Sequence, residues 1–580
     1  MNNFDFDKIV YNRPWLKAGT RHIEDVIGID SETLVSGRPF LFALSNGESF
    51  SLHDIPKVFF RHKYRGRHFV AYNLKFDAGS LLYNLPLKAL NELREKNAVI
   101  HDGFHYRYIP HKMLRIRSGK NAVTFWDIFG FYGTSLDKAS RKYLGRGKLE
   151  LETKSFSESY VERHIEKLRK YCIRDATLTR ELALFLLKTL NKIGLYPNNL
   201  YSTASVSFQY FKQETDIVTV WRFWNERREL LRYACESYYG GKVEITSRGK
   251  FTGYEYDINS AYAHEISKLV DVSEAKIKYL RKYDSKALYG YYRVYVHNLT
   301  GLAHPVVVKR KNMNIYPSGS FHATITQGEL EYLYGHGIEV DVHSGFGLYV
   351  SRRRYPYKHV VEKLQHIKEY YKTRDVFVSN IAKLCNNSFY GKMCQVIEDY
   401  NGDLVAGIGW NPLYSSVITA NVRIKVSRIQ EELGDSCLAV HTDAVMTTKP
   451  IPEKYVGTKL GDFQLKREGA GVIIMCGMYQ HGDKSAYRGF RMPAGFSWYD
   501  KLGSMGASSK TRLTFREVKS WVKAVAQNKP EDINRFIDEV KELDLNAENK
   551  RLWLGRTNAR RLLTELEHSL PIVYNEPYEK

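Results

Sequence analysis

Cysteine is scarce: six stand in 580 residues, at 172, 235, 385, 394, 437 and 476, and none forms a Cys-x-x-Cys pair. That argues against a disulfide framework or a cysteine zinc module, and for a reducing compartment. No run of 18 or more apolar residues occurs and no charged-then-apolar leader opens the chain. A soluble, cytoplasmic protein with no membrane partner is therefore expected. Glutamine is also sparse beside abundant lysine, arginine and tyrosine, a bias compatible with a heat-loving source.

Positive charge is what the chain has in excess. The formal net charge is +23, with local runs at Arg352-Arg-Arg354 and Arg560-Arg561. Such an excess favours a polyanionic partner, most often nucleic acid, through phosphate contacts and counterion release. A solvated basic surface or attraction to an anionic membrane remain as alternatives. The 42 tyrosines would suit base stacking, but most are expected to be core or surface packing. A chain this long exceeds one ordinary core, and about two to four domains are expected.

Acids then recur in informative places. Val26-Ile-Gly-Ile-Asp30-Ser-Glu32 reads as a strand whose period-two alternation puts both carboxylates on one face. Ala71-Tyr-Asn73-Leu-Lys-Phe76-Asp77 adds a third acid beside an amide and a ring. Helical periodicity over 161–187 stacks Tyr171 and Asp175 one turn apart. Four acids, expected on two strands and a helix, suit a pair of metals about 4 Å apart that activates water for phosphodiester hydrolysis. Singly, each is better read as a turn acid, an exposed loop or a solvated helix face.

Their order resembles the Asp-x-Glu, Asn-x-x-Phe-Asp and Tyr-x-x-x-Asp motifs of the DnaQ-like 3′–5′ proofreading exonucleases, over about residues 22 to 190. The resemblance implies that Asp30, Glu32, Asp77 and Asp175 are metal ligands, that Tyr171 orients the attacking water, and that Asn73 and Phe76 hold a single-stranded 3′ end. Ser135-Leu136 would mark another segment on that strand.

Helical periodicity continues over 200–233 and breaks at Tyr238-Tyr-Gly240-Gly241, a hairpin turn or a close approach of backbone to ligand. Gly253-Tyr-Glu-Tyr-Asp257-Ile-Asn-Ser-Ala-Tyr262 follows, an aromatic strand delivering one acid just before a turn. Such an acid suits metal chemistry, although a capping Asp is the commoner meaning. Residues 265–360 are mixed, with a helix expected near 327–334. From Tyr370 to Gly391 one helical stretch is expected, in which Lys372 and Lys383 lie about three turns apart on one face. Two ammonium groups on a stripe suit a triphosphate, or a plain solvated face. Asn401-Gly402 reads as a tight hairpin, 413–433 as a helix, and Leu438-Ala-Val-His441-Thr-Asp443-Ala-Val as a strand broken by a polar tip.

These segments resemble, in order, the Tyr-x-Gly-Gly element and motifs A, B and C of the family B DNA polymerases, in their compact protein-primed branch. The resemblance implies an α/β and α+β multidomain chain: an RNase H-like exonuclease domain followed by a right-hand palm, fingers and thumb. The exonuclease domain would span 1–200, linker and palm 201–264, and palm with a candidate priming-protein insertion 265–360. Fingers would span 361–392, a shortened second insertion 393–412, palm 413–499 and thumb 500–580. Asp257 and Asp443 would hold two Mg²⁺ (Mn²⁺ as substitute) with the Ile258 carbonyl. Tyr262, Lys372, Lys383, Asn387 and Tyr390 would bind the dNTP, and Tyr238, Gly240, Gly241, Thr442, Tyr479 and Arg488 would contact template or primer.

The departures are His441 and Ala444 in motif C, Ala261 and Ala263 after motif A, and Gly477 where Lys-x-Tyr usually has its lysine, for which Arg488 or Arg491 would substitute. The tail 511–570 is expected to be mostly helical and basic. The implied protein is a monomeric DNA-directed DNA polymerase with proofreading, started by a priming protein. Two rivals are a nuclease with a non-catalytic DNA-binding half, and a polymerase using ordinary or self-made primers.

Overall fold

The computed structural model describes residues 5–16, 22–153, 155–399, 403–490, 492–493 and 495–578. The N-terminal part is built on an eight-stranded mixed sheet. At its centre Ile27–Thr33 runs parallel to His68–Ala71, which runs parallel to Asn121–Asp127. The helix Glu158–Lys192 crosses Ile27–Thr33 so closely that any side chain at Gly28 would strike the Ala176 carbonyl. That contact explains a glycine in the middle of a buried strand.

The expected helix over 200–233 is three helices, Thr203–Glu214, Trp221–Glu226 and Arg228–Glu236. The β-branched run Ile217-Val-Thr-Val220 separates the first two. All three share one core with the long helix Glu158–Lys192 and with Lys358–Tyr371, Val376–Ser388 and Pro412–Leu433. Tyr132 of the N-terminal part stacks on Phe377 at 5.0 Å, and Lys192 pairs with Asp375 at 2.9 Å. The two halves therefore meet through packed side chains.

The second sheet has nine strands. Its central strand Ser247–Ile258 pairs antiparallel with Ala444–Thr447 on one side and Phe463–Met475 on the other. Within 265–360 a separate five-stranded sheet forms around its own core, closed at one edge by Val573–Asn575 from the chain's far end. Val396–Glu398 and Leu404–Ala406 form a small antiparallel pair joined by Ile9–Val10; the Asn401-Gly402 tip lies outside the described residues.

Two expectations are corrected. The stretch from Tyr370 to Gly391 is not one helix: Lys358–Tyr371 ends at Lys372, and Val376–Ser388 starts afresh. Asp375, extended at φ −151°, accepts from the Val378 amide and caps the second helix, so the chain turns back on itself. Nor is the tail mostly helical. Lys510–Val518 and Phe536–Asp544 form a two-stranded antiparallel ribbon, in which β-branched and aromatic residues such as Thr511, Phe515, Val518, Ile537 and Val540 favour extended backbone. The tip between them, 519–535, docks on the N-terminal part, where Trp521, Ala524, Val525 and Ile533 join its core. No helix among the described residues is long and apolar enough to cross a membrane.

Candidate active sites

Asp30 and Glu32 share one face of Ile27–Thr33, as alternation requires. Asp77, expected on a strand, sits instead in the helix Leu74–Leu81, so the four acids come from one strand and two helices. The reason is a contact with a strand remote in sequence. Asn73 adopts the left-handed conformation at φ 71°, and Asp127 accepts from the amides of Asn73 and Leu74 at 3.0 Å each, which starts the helix there.

All four acids line one cavity of about 660 Å³, together with Tyr171, Asn73 and Phe76. Burial, then the charges of Asp175, Glu32 and Asp77, pushes Asp30 well above the usual carboxylate range. Burial raises Glu32 to about 8 against the opposing pull of Lys148, and raises Asp77 to about 7 despite a hydrogen bond from Ser31. Carboxylates crowded in this way need protons or cations between them. The donor set is all oxygen and suits divalent cations such as Mg²⁺ or Mn²⁺.

Two residues here escaped the sequence reading. The Lys148 ammonium pairs with Asp175 and lies 5.0 Å from the centre of the Tyr171 ring. It comes from an irregular loop, where no periodicity could announce it. The Cys172 thiol, kept protonated by burial, donates to Asp30 at 3.4 Å. Ser135 caps the helix Leu136–Leu144 by accepting from Lys138, and neither Ser135 nor Leu136 lines the cavity.

In the second half, Asp257 ends its strand opposite Ala444, and Asp443 occupies the tight turn between Cys437–Thr442 and Ala444–Thr447. The Ile258 amide donates to the Asp443 carbonyl at 2.9 Å. Thr442 is left-handed at φ 66°, which makes the turn. Burial and then Asp257 push Asp443 up to about 6; burial raises Asp257 against Lys466 and Lys383. Lys466, missed in the sequence, lies 3.9 Å from Asp257 Oδ2. Glu255 is otherwise engaged. Burial pushes it up, but His481, Lys484 and Arg467 together bring it down to about 2.

Tyr262 and Tyr390 stack face to face at 4.3 Å. Lys383 is exposed, and its charge acts on both Asp257 and Asp443. Lys372 lies on the other arm of the helical hairpin, so the fold, not helical phase, relates it to Lys383. Between them is Lys368, which donates to Asn259 at 3.3 Å and feels the charges of both. Its i, i+4 spacing from Lys372 was the available clue. Asn387 keeps its buried Oδ1 without a hydrogen-bond partner.

Tyr238 and Tyr239 lead into Gly240 and Gly241. A Cβ at 241 would come 2.5 Å from Thr442 Cγ2, so the glycine lets this segment run against the acid-bearing turn. Buried Arg423 donates to the carbonyls of Tyr239 and Gly240 at 2.7 and 2.9 Å. Tyr479 is buried and stacks on His441 at 5.1 Å. Burial holds His441 down at about 4, so it is neutral. Gly477, at φ 76°, accepts from the Arg488 amide at 3.0 Å, and Arg488 shares a groove with Gly241 and Lys550. Arg491 lies outside the described residues.

One chain thus carries an acid cluster on its eight-stranded sheet and flanking helices and a second acid pair on its nine-stranded sheet. Residues 148–424 match the family model described as DNA polymerase type B, organellar and viral. That stretch of the chain is similar to the family. The fold of the chain matches that of Phi29 DNA polymerase complexed with single-stranded DNA, with TM-score 0.62 and 15% identity over 90% of this chain and 100% of that one. Phi29 DNA polymerase with primer-template DNA and incoming nucleotide gives 0.61 and 14% over the same shares. No curated protein sequence matches.

Proposed function

We propose that this protein is a DNA polymerase that extends a 3′ end at Asp257 and Asp443, trims it at the Asp30 cluster, and starts synthesis on a hydroxyl of a priming protein. The observation that carries the first part is the Asp257–Asp443 pair, two half-buried acids on hydrogen-bonded neighbouring segments, with the charge of Asp257 acting on Asp443. Together with the Ile258 carbonyl they would hold two divalent cations, Mg²⁺ or Mn²⁺. Bound there, the cations activate the primer 3′-oxygen and neutralise the leaving pyrophosphate.

The protein's own residues do the rest. Lys383, Lys372 and Lys368 converge from two helices and offset the triphosphate charge. The Tyr262–Tyr390 stack forms the floor under the incoming sugar, and Asn387 offers its free acceptor to the nascent pair. Tyr238, Gly240 and Gly241 contact template, while Thr442, Tyr479 and Arg488 contact primer beside the acid turn. At the nuclease site Asp30, Glu32, Asp77 and Asp175 hold the metals, and Tyr171 orients the water. Asn73 and Phe76 line the cavity that receives the single-stranded end.

Primer extension by an Asp30→Ala variant tests the reading: absence of dNTP incorporation with Mg²⁺ and with Mn²⁺ would refute it. Protein priming is supported by the separate five-stranded sheet within 265–360, which gives a partner its own docking domain. Incubation with labelled dNTP and candidate partner proteins should yield a protein–nucleotide adduct. Extension of ordinary primers with no adduct from any partner would favour the rival mode of starting.

A further inference from the structure

The nuclease cavity has a wall that does not come from the nuclease domain. Val518, Ser520, Asn534 and Phe536, from the C-terminal ribbon and its docked tip, line it with the acids. The docking is firm, since Trp521 is fully buried against the nuclease core and meets Tyr108 edge-on at 5.2 Å. Asn534, fully buried and left-handed at φ 62°, donates to the Phe76 carbonyl at 2.9 Å and to Ser80 Oγ at 3.0 Å. The Ser31 hydroxyl lies 3.0 Å from Ser80 Oγ and 2.8 Å from Asp77 Oδ1. A continuous buried relay thus runs from the C-terminal tip to one of the nuclease acids. Gly79 belongs to the same junction, because any side chain there would collide with Asn534.

Phe536 is different in kind. It is 39% exposed at the cavity wall, with the Arg516 guanidinium over its ring at 5.3 Å. Phe76 and Phe129 line the same cavity from two other segments. Three rings and a cation around an acid cluster make a stacking platform for unpaired bases with a counter-charge for the backbone.

We infer that the C-terminal tip is part of the exonuclease site. Phe536 contacts the bases of the single-stranded 3′ end, and Asn534 is a positioning residue that fixes Asp77 through Ser80 and Ser31. The inference rests on the exonuclease reading above and deepens it. It makes trimming depend on a segment some 450 residues downstream in the chain (534 minus 77 is 457).

Steady-state degradation of a single-stranded oligonucleotide tests both halves. Phe536→Ala should raise KM about tenfold with kcat little changed, and Phe536→Tyr should restore it. Asn534→Ala should instead lower kcat about tenfold at unchanged KM and raise the Mg²⁺ concentration giving half-maximal rate. Ser80→Ala should do the same, and the double variant should be no worse than either single one. Nucleotide incorporation by the same variants reports whether they are folded.

An unchanged KM in Phe536→Ala would overturn the strand contact. Additive losses, or an unaltered Mg²⁺ requirement, would overturn the positioning role. A wild-type protein with no nuclease activity would instead sink the exonuclease reading itself, so the two failures are distinguishable.

Discussion

The amide of Ile258 donates to the carbonyl of Asp443 at 2.9 Å, so the two polymerase acids ride on one backbone hydrogen bond. Both carboxylates would hold the same pair of cations, so removing either should remove the whole cation site. Asp257→Ala and Asp443→Ala should each lower incorporation by a factor of about 10³ or more. Degradation of single strands should be spared, because the nuclease acids occupy a separate cavity. Loss of both activities in a folded variant would contradict two independent sites.

Gly241 and Thr442 make the second test. Gly241→Ala would press its methyl on Thr442 Cγ2, one residue before Asp443. Incorporation should fall about tenfold or more while nuclease activity holds, since a sub-ångström shift at a metal ligand is costly. Adding Thr442→Ser, which deletes that methyl, should recover part of the loss. Primer-extension rates for the single and double variants decide it.

Arg423 and Glu329 form a fully buried pair at 2.7 Å between Pro412–Leu433 and Gln327–Gly335. Arg423→Met leaves Glu329 uncompensated and frees the Tyr239 and Gly240 carbonyls, at an expected cost of about 3–5 kcal/mol. Combining it with Glu329→Gln should restore much of the stability. Denaturant unfolding of the four proteins in the cycle measures the coupling.

Glu244 supplies a pH dependence. Burial pushes its carboxyl up, but Lys242 and Arg551 outweigh burial and bring it down to about 2. A depressed carboxyl stabilises the folded state above its unfolded value, and that stability is lost as pH falls toward 2. The wild-type protein should therefore weaken between about pH 4.5 and 2, and Glu244→Gln should flatten that slope. The variant should also lose about 3 kcal/mol at neutral pH. A slope equal to wild type would show that acid unfolding is governed elsewhere.

Lys368→Ala should raise KM for dNTP about tenfold, as loss of one charge-assisted phosphate contact requires, and leave the nuclease rate unchanged. Unchanged dNTP dependence would place Lys368 outside the nucleotide site.

What the sequence determined by itself is local. Alternation on a strand put Asp30 beside Glu32, one helical turn put Tyr171 beside Asp175, and an apolar strand ending in a turn delivered Asp257. Each follows from a repeat of 2 or 3.6 residues that the chain carries wherever it folds. The order of the motifs likewise pointed to the nuclease and palm sheets.

One local signal was overridden by the longer periodicity: Asp375, accepting from the Val378 amide three residues on, capped a new helix and separated Lys372 from Lys383 by a turn. Tertiary structure decided the rest. Asp127 started the helix that carries Asp77, from 50 residues downstream in the chain (127 minus 77). Lys148 reached Asp175, Gly241 met Thr442, and Asn534 reached the nuclease acids by packing between segments remote in sequence. No local pattern encodes such contacts, because the partners meet only after separate sheets and helices have buried their apolar faces against one another.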